Sequence, residues 1–449
     1  MSKRNIFFVI LGILLVGIFF VFSLYVLPSM KIATGYATKY ACSATFISGL
    51  SDEIIKSNLD LTLVDKVKYT INDEEKYVEG TLFGIVHQRA WFINSDEGCG
   101  CIVSEEKIES NELAKDLPTK TYVENDTIYW PQGDRLRDTV LKEVDIDRLR
   151  RVVAQTMDSN QAARAIVVTY KNFLLTEDYA KGIDRNTRLL GWSMTKTMSN
   201  ALIGNLVKNG KINIDQPTGI PEWQNDGRKK ITVNNLLQMS SGLDWEENYS
   251  KISNVTTMLY LVPDMASHAL SSSLRSKPGN EWVYSSGTSN IISRIIRSKW
   301  SSLEEYIAFP RDSLFDVIGM KSAVLETDKA SNFVFSSYCW ATARDWTRFG
   351  LLYLNNGNWF GKQVFTPEWT QYSITPAPAS GGQYGAQMWL NTDGKKMPSA
   401  PVDAYYEDGF GGQRVLIIPS KNLVVVLLSG QQKNFNFDHF IARILECFE

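Results

Sequence analysis

The chain has 449 residues, and its 47 lysines and arginines nearly balance 49 aspartates and glutamates, leaving a net charge of −2. That balance excludes a nucleic-acid binder, which concentrates basic residues on one face. The length allows a sizeable core and more than one structural unit, and a 12% aromatic content without low-complexity tracts is the composition of a folded protein.

Lys3 and Arg4 precede residues 6–27, IFFVILGILLVGIFFVFSLYVL, which are 22 residues without a charge. The run is long enough to span a bilayer. It exceeds a signal-peptide core, and no small-x-small cleavage pattern follows, so residues 1–29 are expected to be an uncleaved signal anchor. The leading positive charges keep the N-terminus cytoplasmic. Everything after Pro28 is then expected outside the cytoplasm, in a bacterial periplasm or its equivalent, on a single-pass protein.

Five cysteines follow, Cys42, Cys99, Cys101, Cys339 and Cys447. An odd number implies no full disulfide framework, and Cys42 can pair with Cys99 or with Cys101. Without a CxxC pair, and with only three histidines, a zinc site is not expected.

Residues 30–136 lack helical periodicity and are expected to form a small N-terminal unit. KVKYTI, TLFGIVHQRAWFI and CIVSEE read as short strands, and YWPQGDR at 129–135 as a turn-rich junction. From 137 to 449 the pattern is mixed. VDIDRLRRVVAQTM has helical spacing, and ARAIVVTYKNFLLTEDY reads as two strands around Lys171-Asn172. GQRVLIIPSKNLVVVLLSG gives an antiparallel hairpin through Pro419–Asn422, and FDHFIARILECF closes the chain as a helix. The layering expected is α+β, an antiparallel sheet sandwiched between helices.

Three stretches carry chemistry. GWSMTKTMSNALIGNLVKNGK, 191–211, places Ser193 at the start of a helical apolar stripe with Lys196 three residues on, on the same face. A serine hydroxyl needs a base to become a nucleophile, and a lysine whose pKa is lowered supplies one. A helix N-terminus favours neutral lysine and a developing oxyanion. The pattern is common, since Ser104-Glu-Glu-Lys107 matches it as well, and serine is also an ordinary N-cap. The second stretch, VYSSGTSNIISRII, brings Tyr284 to another helix start, where a phenol can relay protons. In the third, DGFGGQ at 408–413, glycines let backbone N–H groups approach a ligand.

In this order the three stretches resemble the serine β-lactamase and penicillin-binding-protein superfamily, with its S-x-x-K, Tyr-x-Asn and Lys-Thr-Gly elements. ITVNNLLQMSSGLDW (231–245), ATARDWTRFGLLYLNNG (341–357) and YGAQMWLN (384–391) look like further landmarks. The likeness is to the class C-like branch with 6-aminohexanoate-dimer hydrolases and esterases, over about 137–449. It implies a β-lactamase-like fold with Ser193 as nucleophile, Lys196 taking its proton and Tyr284 as general base and later acid. It also implies an oxyanion hole from the backbone N–H groups of Ser193 and Phe410, and substrate contacts at Ser286, Gly409, Glu246 and Tyr249. The substrate would be a small-molecule amide or ester, cleaved without metal or cofactor.

Two departures stand out. Ser286 replaces the asparagine, and Glu407-Asp408 replaces Lys-Thr. An acidic pair there, with WEENY at 245–249 nearby, is expected to repel a substrate carboxylate, which speaks against a D-Ala carboxypeptidase or a β-lactamase. A non-catalytic sensor with the same fold is the other alternative, and the retained Ser193, Lys196 and Tyr284 speak against it.

Overall fold

A computed structural model describes residues 3–93, 100–108, 126–138, 141–432 and 434–449. The apolar N-terminus is helical, as α1 (Lys3–Val21), a π-helical stretch Phe22–Val26 and α2 (Leu27–Phe46), without a break. This helix, Lys3–Phe46, is long and apolar enough to cross a membrane. Its two halves differ. α1 buries no residue, whereas α2 buries Met30 and every residue from Ala33 to Ala44. The helix therefore continues to Phe46, past the expected anchor boundary at residue 29 and into the stretch expected to lack helical periodicity. α2 lacks an amphipathic stripe because protein surrounds it on all sides.

α2 lies on an antiparallel meander of β1 (Lys68–Asn72), β2 (Tyr77–Leu82), β3 (Val86–Phe92) and β4 (Cys101–Val103). β1, β3 and β4 fall in the expected strands, whereas β2 was not expected, and TLFGIVHQRAWFI, read as one strand, is the end of β2, a turn with Phe83 and Gly84 at positive φ, and β3. Val78, Leu82, Val86 and Ala90 join Ala33, Ala37 and Ala41 in one core. Of the two pairings open to Cys42, the structure forms the disulfide with Cys101. Cys99 lies outside the described residues, and Cys339 and Cys447 are buried free thiols.

The larger part follows the expected layers. After α3 (Ile146–Ser159) come β5 (Ala163–Tyr170) and β6 (Phe173–Tyr179), joined by Lys171 and Asn172 at φ 49° and 64°. Helices α4 (Thr195–Lys208), α5 (Ser286–Arg297) and α6 (Ala343–Leu354) precede β7 (Trp389–Leu390), β8 (Tyr405–Gly409), β9 (Gln413–Ile418), β10 (Leu423–Ser429) and α7 (Phe437–Leu445). The six strands form one antiparallel sheet in the order β7-β8-β9-β10-β5-β6. β10 reads as a continuous apolar run because both its faces are covered. Val424, Val426 and Leu428 face the core shared with α6, while Leu423, Val425 and Leu427 face the core shared with α3 and α7.

Candidate active site

The nucleophile segment is held by three neighbours. Leu189–Leu190 pairs with Cys339–Ala341, and the Gly191 N–H donates to the Cys339 carbonyl at 2.9 Å. The chain then makes a 3-10 turn, Trp192–Met194, and enters α4. Trp192 has φ 49°, left-handed for a bulky residue, a conformation that costs about 1–3 kcal/mol and persists only where its surroundings hold it. The end of β8 lies against this turn: a Cβ on Gly409 would sit 2.2 Å from the Gly191 carbonyl oxygen, so only glycine allows the approach. The landmarks around 341–357 and 384–391 dock here as well. Trp346 covers Gly191, and Thr197 and Asn200 donate to the carbonyls of Gln387 and Ala386, each at 2.8 Å.

Lys196 sits in the first turn of α4 and is 1% exposed. Its Nζ donates to Ser193 Oγ at 2.9 Å, to Ser286 Oγ at 3.1 Å and to the Ser336 carbonyl at 3.0 Å. It also lies 4.8 Å from the centre of the Tyr284 ring. Burial pushes the lysine down to about 8, against the opposing pull of Glu247. Burial and then the Glu247 charge push the Tyr284 phenol well above its usual range, with the neighbouring Ser193 opposing the rise. The expected trio of Ser193, Lys196 and Tyr284 is therefore assembled. The two shifts favour Lys196 over Tyr284 as the base, because a phenol held that high keeps its proton.

The other expected site residues divide. Phe410 stands just after β8, its ring against Trp192 at 5.6 Å and stacked on Tyr249 at 5.6 Å. Tyr249 reaches the cluster through its hydroxyl, 3.1 Å from Glu247 and 3.5 Å from Ser286 Oγ. Ser286 is fully buried, accepts from Lys196 and donates to Glu247. Ser286, expected to contact substrate, links the Lys196 ammonium to the Glu247 carboxylate. Glu246 is exposed and ion-paired with Lys251.

The carboxylate in the cluster is its neighbour Glu247, which accepts from the Ser286 N–H at 2.9 Å and from the Trp245 indole at 2.6 Å. WEENY carried the signal, but only the backbone path decides which of its two glutamates turns inward. Glu407 and Asp408 do not form the expected negative patch. Glu407 is 1% exposed within the core, and burial alone raises its carboxyl well above the usual range. Asp408 is paired with Arg414 at 2.8 Å. Alternation along β8 sends the two side chains to opposite faces of the sheet.

Among the described residues no cluster of histidine, cysteine and carboxylate suits a metal ion.

The Beta-lactamase family profile matches residues 149–446, two thirds of the chain, and the chain belongs to that serine hydrolase family. No curated protein matches it in sequence. Among solved structures, a Bacillus anthracis protein carrying the description 6-aminohexanoate-dimer hydrolase superposes with a TM-score of 0.58 at 22% identity, covering 70% of this chain and 87% of its own. A penicillin-binding-protein homologue from Caulobacter crescentus gives 0.54 at 15% identity, over 69% and 97%. A family VIII carboxylesterase gives 0.53 at 15%, over 70% and 98%. At these identities the likeness is one of fold.

Proposed function

We propose that the protein is a single-pass membrane hydrolase that cleaves an amide or ester through an acyl-enzyme on Ser193, with its hydrolase part (137–449) outside the cytoplasm. The observation that carries this reading is the buried Lys196 Nζ, 2.9 Å from Ser193 Oγ, with its pKa lowered to about 8. At pH 7 a lysine with that pKa is neutral in about 10% of molecules, against a negligible fraction for a solvated one.

Neutral Lys196 takes the Ser193 proton as Oγ attacks the carbonyl carbon. The backbone N–H groups of Ser193 and Phe410 receive the oxyanion. Collapse expels the leaving group, which takes a proton relayed from Lys196 through the Tyr284 hydroxyl. Water then attacks the acyl-enzyme, giving its proton back along the same path. Glu247 keeps Ser286 oriented toward Lys196 and restrains the fall of the lysine pKa.

The anchor reading rests on residues 6–27, of which 6–21 are exposed throughout. A family-type cation near the substrate carboxylate is missing at 407–408, which favours an amide or ester without that carboxylate over a D-Ala-D-Ala peptide or β-lactam. The test is a rapid-mixing assay with a p-nitrophenyl ester. A burst of nitrophenol equal to the enzyme concentration, absent in Ser193→Ala, is expected; an undiminished burst in Ser193→Ala removes the assignment. C-terminal reporter fusions test the topology, because a reporter active only in the cytoplasm reverses it.

A further inference from the structure

The family match begins at residue 149, yet the wall behind the nucleophile is built from α2, far outside it. Trp192, the left-handed residue directly before Ser193, is 7% exposed and enclosed by rings. Tyr36 stacks on its indole at 5.8 Å with 14° between planes, and Tyr40 at 6.4 Å with 6°. Phe410 meets the same indole edge-on at 5.6 Å, and Tyr338 at 6.0 Å. The two residues expected to supply the oxyanion hole are thus the one bonded to Trp192 and the one packed on its ring.

α2 itself is fixed in place. Cys42 is bonded to Cys101. Lys39 forms a buried ion pair with Glu326, whose carboxylate also accepts from the Cys101 N–H at 2.7 Å, Ser43 Oγ at 2.9 Å and the Trp340 indole at 2.8 Å. Trp340 pairs in register with Leu190, two residues before Trp192. Tyr40 is tied at its other end, where Asn58 donates to its hydroxyl. At Gly35 the helix backbone comes so close to Tyr260 that a Cβ would lie 3.2 Å from the Tyr260 Cβ and carbonyl. Tyr260 in turn meets the Tyr36 ring at 5.4 Å.

We infer that the anchor helix is a working part of the active site: Tyr36 and Tyr40 are positioning residues that hold Trp192 in its left-handed conformation and thereby set the two oxyanion-hole N–H groups. Tyr36 and Tyr40 are the two rings stacked face to face on the indole, so removing both takes away the stacked part of the packing that opposes the backbone strain at Trp192. The helix that tethers the protein therefore also completes the site, and the family-matched part alone lacks that support. The inference rests on Ser193 being the nucleophile.

The test uses the full chain in detergent. The second-order rate of fluorophosphonate labelling, and kcat and KM for a p-nitrophenyl ester, are measured for wild type, Tyr36→Ala, Tyr40→Ala and their double variant. Tyr36→Phe and Tyr40→Phe keep the rings. Val78→Ala is a destabilised control on the strand face that carries α2, away from Trp192.

The double alanine variant is expected to lose about 100-fold in kcat and in labelling rate, the scale of one lost oxyanion donor, with KM within a few-fold. The phenylalanine variants are expected to keep wild-type kcat, and Val78→Ala to lower Tm without lowering kcat. The proposal is overturned if the alanine variants keep wild-type kcat and labelling, or if Val78→Ala loses as much kcat for the same drop in Tm. A wild-type protein that takes no label overturns the Ser193 assignment instead, so the two failures are distinguishable.

Discussion

Glu247→Gln isolates the one charge that works on the base. Lys196 reaches Ser286 Oγ at 3.1 Å, and Ser286 donates directly to Glu247, and two hydrogen bonds meeting at a bent oxygen place the carboxylate about 5 Å from the ammonium. At an effective dielectric of about 20 the attraction is about 3 kcal/mol, or about two pH units on the lysine. Glu247 is only partly buried, so solvent trims this to about one to two units.

The sign follows directly. The carboxylate favours charged lysine, so its removal lowers the lysine pKa and enlarges the neutral fraction. In wild type, kcat/KM is expected to rise with pH through about 8. In Glu247→Gln that limb moves down by about one to two units, so activity near pH 6.5 rises about tenfold while the two enzymes converge near pH 9. The amide keeps the size of the side chain and an acceptor for the Ser286 N–H. The assay is kcat/KM for a neutral p-nitrophenyl ester from pH 5.5 to 9.5 at fixed ionic strength. An unmoved limb, a limb moved upward, or activity that falls as pH rises through 8 refutes Lys196 as the base.

Tyr284→Phe is expected to lower kcat by about 100-fold or more with little change in KM, the usual scale for a lost proton relay; kinetics on a poor leaving group, an anilide, shows it most clearly. Gly409→Ala forces a methyl group to within 2.2 Å of the Gly191 carbonyl, so β8 must move off the nucleophile turn, and kcat is expected to fall at least tenfold together with Tm. Glu407→Gln tests a buried carboxyl raised by burial. Such a group stabilises the fold only while protonated, so wild type loses about 1.4 kcal/mol per pH unit from about pH 4.3 upward until the folded pKa is passed. The Tm advantage of Glu407→Gln is therefore expected to widen from pH 5 to pH 7 in thermal melts, and a constant difference contradicts it.

The order of layers was legible in local pattern, and the grouping of Ser193, Lys196 and Tyr284 in the family resemblance of three separate stretches. Ser193 and Lys196 are one helical turn apart, and the apolar runs of β9 and β10 announce strands covered on both faces. What escaped depends on contacts between distant segments. α2 has no polar face to mark a helix, because sheet and hydrolase core both close over it, so its residues read as irregular and the rings of Tyr36 and Tyr40 carried no sign of reaching Trp192. Glu246 and Glu247 are adjacent and chemically identical; only the bonds of Glu247 to Ser286 and Trp245 select it. The bonds of Ser286 to Lys196 and Glu247 join segments 90 and 39 residues apart, which no local pattern announces. Glu407 was expected to be half of an acidic pair lining the site, and strand alternation places it in the core instead.

The most direct test of the Ser193 acyl-enzyme is fluorophosphonate labelling of the full-length protein followed by peptide mapping. The expected result is one label per chain on Ser193, abolished in Ser193→Ala and strongly slowed in Lys196→Ala. Label on any other residue, Ser104 included, or undiminished labelling of Ser193→Ala, contradicts it.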